Sequence, residues 1–580
     1  MKSNRLLRFI ICLFLTAFFS FFYYRLYGQP ATGIDDADIY FVYIKHFVEG
    51  SGFVYNDGGE RVEGFTSLLW VLLLSPLYLF FENFEKAILV LNIAIISFTV
   101  YRTINFLDTL TGSKNIISVQ SLIIFVYIYI IPGFIDWTVL SLMESSLWCF
   151  LLTMIVIDIG YYVLSKRKES FTLICVYVFL LVLTRPESLL WGLFFCAMLG
   201  LTHFYVFKSK SAALKRLIGV LSLFSITVIV LVSFRMLYFG YPLPNTYYAK
   251  VSSGIFHNVL NGLHYFIFST WQTPFLWVFF ISSCIALLII FRSLKDRKRI
   301  LELSHIQVIQ LIVSATSIVS FLIPICLGGD HFELLRFFQP FMLIYLLCLL
   351  NTTFWKNHFG EISFKIRSLS SSYIFVFLLF PFLYFVTRTP LHYIRKGRSP
   401  IYGEFKIATI GREEGRVLNN FFSRLNEKPS VGVSAAGGFA YTYQGVTVDL
   451  LGLNNTQMAH ASTEKRGIKN HAAFDIATFY EIAPDIFHGY THGSKVLSKF
   501  LTSPENVTLD FEDSDFEDSF VNKLFKGIFS TEEFNVTYAP VIIYNPDVPQ
   551  FYYQTFVHVD YLPVLREYGY EVVTLKQTKL

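Results

Sequence analysis

The segment Ile34–Trp70, IDDADIYFVYIKHFVEGSGFVYNDGGERVEGFTSLLW, follows the first long apolar run and puts Asp35, Asp36 and Asp38 beside it. Ionisable groups next to a bilayer are costly to desolvate, so three carboxylates there read as a reaction site rather than an anchor. The surrounding composition makes the bilayer the solvent. The chain has 580 residues, 54% hydrophobic and 18% aromatic with only 15% charged, and its mean hydropathy is +0.52. Its apolar runs are too long and too many for one soluble core, which makes it a polytopic membrane protein. The net charge of +5 is small for this length. Lys and Arg fall in short loops as the positive-inside rule expects, and no basic patch points to nucleic acid.

Working outward, Lys2, Arg5 and Arg8 precede an apolar run to about Tyr27 with no small-residue cleavage pattern, which reads as an uncleaved signal anchor with a cytoplasmic N-terminus. Further runs occupy 86–106, 115–132, 145–164, 170–184, 188–206, 214–237, 275–292, 308–327, 337–353 and 371–388, giving about eleven transmembrane helices. With that count the basic clusters Lys166–Lys168, Lys208–Arg216, Arg292–Arg299 and Lys365–Arg367 all fall on the cytoplasmic side. The run 65–81 is short, contains Pro76, and reads as a helix in or dipping into the outer leaflet; if it spans, another segment must be re-entrant. Residues 1–388 then form a transmembrane module with a first extracytoplasmic loop at 28–85.

On the outer face this topology collects unusual polar residues. The first loop carries the three aspartates with Glu60, Arg61 and Glu63; 133–144 brings Asp136, Trp137 and Glu144; a turn reads Thr184-Arg185-Pro186-Glu187. GYPLPNTYYAK at 240–250 adds Asn245, Tyr248 and Lys250, and GGDHFELLRF at 328–337 adds Asp330, His331 and Arg336. A carboxylate can accept a hydroxyl proton, and a guanidinium fork or an ammonium can hold a phosphate. Asp35 is the first choice for a base, and its neighbour Asp36 suits acceptor hydroxyls or a divalent cation. Both reach one site only if Asp35 sits in the cap of a helix starting near Ala37. Against these roles stand plainer ones: Arg185 pairing with Glu187, Arg336 with Asp330 or Glu333, His331 as a hydrogen-bonded structural residue, and Asp38 as a helix cap. Trp137, Trp271 or Tyr40 can stack on a sugar, but among 63 Phe and 35 Tyr most aromatics are packing.

The strings DDADIYFVYIKHFVEGSGFVYNDGGERVEGFTSLLW, TRPES, GYPLPNTYYAK, GGDHFELLRF and VDLLGLN, in this order, resemble the bacterial membrane family that includes the mycobacterial terminal arabinofuranosyltransferase and relatives described as flagellar-motor-control or virulence proteins. That resemblance implies the GT-C superfamily: a glycosyltransferase that moves a sugar, such as arabinofuranose, from a polyprenyl-phosphate donor to an extracytoplasmic envelope glycan or glycolipid. For that reaction the residues' own chemistry suggests Asp35 and Asp36 as catalytic; Arg185, Lys250 and Arg336 on the donor phosphate; and Asp38, Glu63, Glu144, Asn245, Tyr248, Asp330 and His331 on substrate. No cofactor is certain, and a divalent cation, if any, falls to Asp35 and Asp36. The partners are the lipid-linked donor, the acceptor and membrane lipids, in a bacterial inner membrane. One departure is SLMESS at 141–146, where the family's pattern has a glycine ahead of the Leu/Met–Glu pair. The alternative is a non-catalytic relative in motility or envelope assembly. A transporter is disfavoured, because charges sit at span ends and no internal repeat is visible.

From 389 charges rise and apolar runs shorten to strand length, which reads as a soluble extracytoplasmic α/β domain. SVGVSAAGGFAYTYQGVTVDLLGL reads as strand, Gly-containing turn, short helix, strand, and Ala539–Tyr544 and Tyr570–Leu575 as further strands. Gly432, Gly437 and Gly438 have the wrong spacing for a dinucleotide fingerprint. Asp449 and Asn454 either meet a glycan or cap a turn, and DFEDSDFED from Asp510 reads as a solvated loop. The seven cysteines all lie at or before Cys348, so this domain has neither a disulfide framework nor a cysteine metal site.

Overall fold

The computed structural model describes residues 2–26, 28, 30, 32–165, 168–252, 254–297, 300–359, 401–462, 464–468, 470–488, 498–501 and 520–575. These fall into two compact units, one of Met1–Gly33, Ser67–Phe234 and Phe256–Gly403, the other of Ile34–Thr66, Arg235–Ile255 and Glu404–Leu580. The acidic loop thus clusters with the C-terminal part of the chain. The span expected at 371–388, the acidic run from Asp510 and the cluster Lys365–Arg367 lie outside the described residues.

The first unit is helical. Among the described residues seven helices are long and apolar enough to cross a membrane: Asn4–Leu26, Phe84–Thr111, Ser145–Ser165, Ser188–Phe207, Lys210–Tyr238, Phe275–Lys295 and His305–Cys326. The protein is a polytopic helical membrane protein with a C-terminal sheet-containing domain. Capping fixes several helix starts. Ser304 and Gln307 form a reciprocal capping box, and Ser118 and Ser121 another. Helix Ser145–Ser165 is the core element, with 83% of its most apolar window buried, whereas Lys210–Tyr238 buries only 22% and turns Ile226, Ile229 and Val230 outward, as lipid contact demands.

Three expected runs form shorter apolar helices, Leu68–Phe80, Val119–Ile130 and Ser170–Val182. Leu68–Phe80 has 13 residues, about 20 Å of rise against a core of about 30 Å, in keeping with a segment that does not cross unaided. The run at 337–353 is interrupted: a 3-10 turn Gln339–Phe341 leads into a helix of only nine residues, Met342–Leu350, which stops at Asn351. Charges are not confined to span ends. Arg102 pairs with Asp158 at 2.9 Å and Arg8 with Asp108 at 2.7 Å inside the helical unit, each carboxylate tolerated because a cation neutralises it.

Among the described residues the second unit is built on a sheet of seven short strands: β1 (Val431–Val433), β2 (Thr447–Asp449), β3 (Ile486–Phe487), β4 (Lys499–Leu501), β5 (Tyr538–Tyr544), β6 (Tyr552–His558) and β7 (Glu571–Thr574). The order is β2-β1-β3-β6-β5-β7, with β4 also on β6. Pairing is parallel from β2 to β3 and antiparallel beyond. The expected strand–turn–helix–strand is present as β1, helix Ala436–Thr442 and β2. One face of the sheet packs on a cluster including Phe474, Phe479, Phe487, Phe525, Phe534 and Phe556, which supplies the apolar burial a small layered domain needs.

Candidate functional site

In the second unit, helix Asp35–Glu49 begins two residues earlier than the sequence suggests. Ile34 is the cap residue, extended at φ −98° and ψ 166°, and its carbonyl accepts the Ala37 and Asp38 amides. Asp35, Asp36 and Asp38 therefore occupy the first turn, where negative charge complements the helix dipole. Asp35 does not cap its own helix, because its side chain is used elsewhere. Its two oxygens accept the Gly437 amide at 3.0 Å and the Gly438 amide at 2.8 Å, at the start of the helix following β1. Glycine is required at both places. A Cβ on Gly437 would lie 1.9 Å from the Asp35 carbonyl oxygen, and one on Gly438 2.2 Å from that of Ala408.

Burial pushes the Asp35 carboxyl up; the two glycine amides oppose this, and the charges of Asp36 and Asp449 add to it, leaving it at about 6. Asp36, half-buried, is the next residue on the helix. Asp38 is fully buried and gripped by Arg412, whose Nε lies 2.7 Å from one oxygen while Nη2 holds the other. Glu63 is likewise committed: Arg235 binds both its oxygens at 2.8 and 2.9 Å, with both residues buried. Burial raises the Glu63 carboxyl, and Arg235 only partly offsets that.

Asn245 works as a staple. Its amide nitrogen donates to the carbonyls of Gly452, Leu453 and Asn455 at 2.8, 3.0 and 3.3 Å, and its backbone amide donates to the Glu63 carbonyl at 2.9 Å. The loop it holds follows β2, where Asp449 accepts from Leu451 N, Asn454 N and Asn454 Nδ2. Asp449 thus caps the turn, the plainer of its two readings, and burial raises its carboxyl. Tyr43 ties this loop to the acidic segment, donating to Asn454 Oδ1 at 3.2 Å and accepting from Gly64 N at 3.1 Å. Tyr248 stands against His460 and Tyr241, with ring centres 4.3 and 5.7 Å away. Lys250 is half-buried at the last turn of Asn245–Lys250.

The remaining candidates fall in the first unit. A pocket is lined by Ser145, Trp148, Arg185, Glu187, Trp191, Leu327, Arg336 and Phe337, among others, a mix of apolar rings and cations suited to a ligand with an apolar part and an anionic part. Arg185 donates through Nη1 to Glu144 at 2.7 Å and through Nε to Glu187 at 2.6 Å. Arg336 Nε lies 2.9 Å from Asp330. Burial pushes the Asp330 carboxyl up, but Arg336 and the His331 contacts outweigh it and hold it well below the usual range. His331 donates its backbone amide to Asp330 at 2.9 Å. The Phe337 ring centre is 5.7 Å from each guanidinium, and Trp148 and Phe332 cover Arg185 and Arg336 in turn. Trp137 is buried, its indole donating to the Glu333 carbonyl; Tyr40 is buried against Thr66, and Trp271 is 78% exposed.

Both plainer pairings of the arginines are therefore real, and the residues that sequence reasoning missed are mostly partners: Arg235, Arg412 and Tyr43. Arg235 had a visible signal, a lone charge near the end of an apolar helix. Among the described residues no group of three or more His, Cys, Asp or Glu is placed to hold a metal ion.

No protein-family model matches the chain, and no curated protein matches it. Among solved structures it is similar to the Archaeoglobus fulgidus oligosaccharyltransferase tethered to an acceptor peptide containing the NVT sequon, with 12% identity, 96% of this chain and 74% of that one covered, and a TM-score of 0.47. It is also similar to the archaeal oligosaccharyltransferase AglB from Archaeoglobus fulgidus in complex with an inhibitory peptide and a dolichol-phosphate, with 12% identity, the same coverage and a TM-score of 0.46.

Proposed function

We propose that this chain is a GT-C glycosyltransferase of the bacterial inner membrane that moves a sugar, such as arabinofuranose, from a polyprenyl-phosphate donor to an extracytoplasmic envelope glycan or glycolipid. The observation that carries this reading is Asp35, a half-buried carboxyl at about 6 beside a second carboxylate, Asp36. A general base works best with a pKa near the operating pH, because it is then ionised yet still basic enough to take a hydroxyl proton. Two backbone amides fix the carboxylate's orientation, as a base that must meet a hydroxyl in one geometry requires. Asp36, adjacent to Asp35 inside the helix and so not on its face, acts on the base through its charge rather than sharing a cation with it. Arg185 and Arg336, with the apolar lining of their cavity, serve the phosphate and the first carbons of the donor lipid. The resemblance of five ordered sequence strings to an arabinofuranosyltransferase family supports the same assignment.

The test is complementation of a deletion strain with wild type and with Asp35→Asn, expression in the membrane being checked, read as the mass profile of extracted envelope glycans. Loss of one sugar increment in the expressed variant, as in the deletion, supports the reading, and the missing mass names the sugar class. Identical glycans in all three strains, with a motility or assembly defect confined to the deletion, refute it in favour of a non-catalytic role.

A further inference from the structure

The cavity in the helical unit presents a charge problem. Arg185 faces two carboxylates, Glu144 at 2.7 Å and Glu187 at 2.6 Å, so the cluster of three is net negative and offers an approaching phosphate no attraction. The two carboxylates are not equivalent. Glu144 is fully buried, beside a helix start, and holds Nη1. Glu187 lines the cavity, keeps 15% of its side chain exposed, and holds Nε. The edge Glu187 occupies is part of the fork a phosphate uses when it binds a guanidinium through two parallel hydrogen bonds.

We infer that Glu187 is a placeholder for a phosphate monoester headgroup: it occupies the Nε edge of Arg185 until the ligand displaces it, while Glu144 stays as the fixed counter-charge. The inference rests on the donor reading above and adds a residue that discriminates ligands by charge. An uncharged lipid of the same length cannot displace a carboxylate from a guanidinium, whereas a phosphate replaces it with a stronger acceptor. The residue after Glu187, Ser188, is buried with a hydroxyl that has no hydrogen-bond partner, and Glu187 makes no capping bond to the helix it precedes.

The experiment uses the full chain in phosphatidylcholine nanodiscs with decaprenyl phosphate as probe, followed through the fluorescence of Trp148 and Trp191 on the cavity wall. Decaprenol and inorganic phosphate are parallel arms, and thermal melting checks folding. Glu187→Gln is expected to tighten decaprenyl phosphate by about three- to tenfold, since the phosphate no longer competes with a charged group. Glu187→Asp, one methylene short of Arg185, should shift affinity the same way, and decaprenol should respond to neither variant. Inorganic phosphate that competes with the lipid and also gains from Glu187→Gln places recognition in the headgroup. Unchanged or weaker binding of decaprenyl phosphate by a Glu187→Gln variant that melts like wild type overturns the placeholder while leaving the donor reading intact. If neither wild type nor variant binds decaprenyl phosphate, the donor reading falls and the placeholder with it.

Discussion

Titrating the reaction from about pH 8 to about pH 5 carries Asp35 through its midpoint, so the pH profile reads this one carboxyl directly. With the group at about 6, about nine-tenths of it is ionised at pH 7 and about one-tenth at pH 5. An aspartate at its ordinary 3.8 would still be about nine-tenths ionised at pH 5. The kcat/KM for sugar transfer in proteoliposomes should therefore fall about tenfold between pH 7 and pH 5, with an acid limb centred near 6. Asp36→Asn gives the sign. The Asp36 charge is among the causes that raise Asp35, so removing it should move the limb down. A rate flat to pH 5, or a limb that moves up in Asp36→Asn, would show that Asp35 is not the base.

The same shift has a stability consequence of opposite sense to that of a salt-bridged carboxylate. Between about 3.8 and about 6 the folded state binds more protons at Asp35 than the unfolded state does, so stability falls as pH rises through that window and the penalty is complete above it. The full shift corresponds to at most about 3 kcal/mol, reduced to about 1–2 kcal/mol by solvent at a half-buried site. Wild type should gain melting temperature from about pH 6 to about pH 4 relative to Asp35→Asn, which lacks the titrating group.

Two further substitutions test the framework around Asp35. Glu63→Gln leaves Arg235, only 5% exposed, without its carboxylate and should destabilise the protein by about 3–5 kcal/mol, whereas Glu63→Leu with Arg235→Met should recover most of that in thermal unfolding. Gly437→Ala drives a methyl to 1.9 Å from the Asp35 carbonyl oxygen; the base is displaced by about 1 Å, and kcat should drop about a hundredfold with the variant still present in the membrane.

What the sequence could disclose depended on how local the cause was. The β1–helix–β2 unit was readable because alternation, glycines and a short apolar run lie within about 20 residues. Ala539–Tyr544 and Tyr570–Leu575 were readable as strands, β5 and β7, for the same reason, but β6 was not, because strand order is chosen by packing on Phe487, Phe534 and Phe556 rather than by any one segment. The Arg185–Glu187 pair, two residues apart, was anticipated. The partners of Asp38 and Glu63 were not, since Arg412 and Arg235 lie 374 and 172 residues away in the chain. The start of helix Asp35–Glu49 was misplaced for a related reason: a first-turn aspartate and a capping aspartate look alike until the Gly437 and Gly438 amides claim the side chain.

The departure at SLMESS ends differently. Leu142, just ahead of Met143 and Glu144, has φ +60°, the left-handed conformation that favours glycine. A leucine there gives up about 1–2 kcal/mol of backbone energy. Its side chain is completely buried, which returns about 1.5–3 kcal/mol of apolar transfer, so the substitution is sustainable. The backbone turn that glycine would make is therefore still made, and Glu144 still arrives 2.7 Å from Arg185. Leu142→Gly should accordingly exchange strain for a cavity and leave the Glu144–Arg185 pair in place, because the conformation, and not the side chain at 142, sets where Glu144 points.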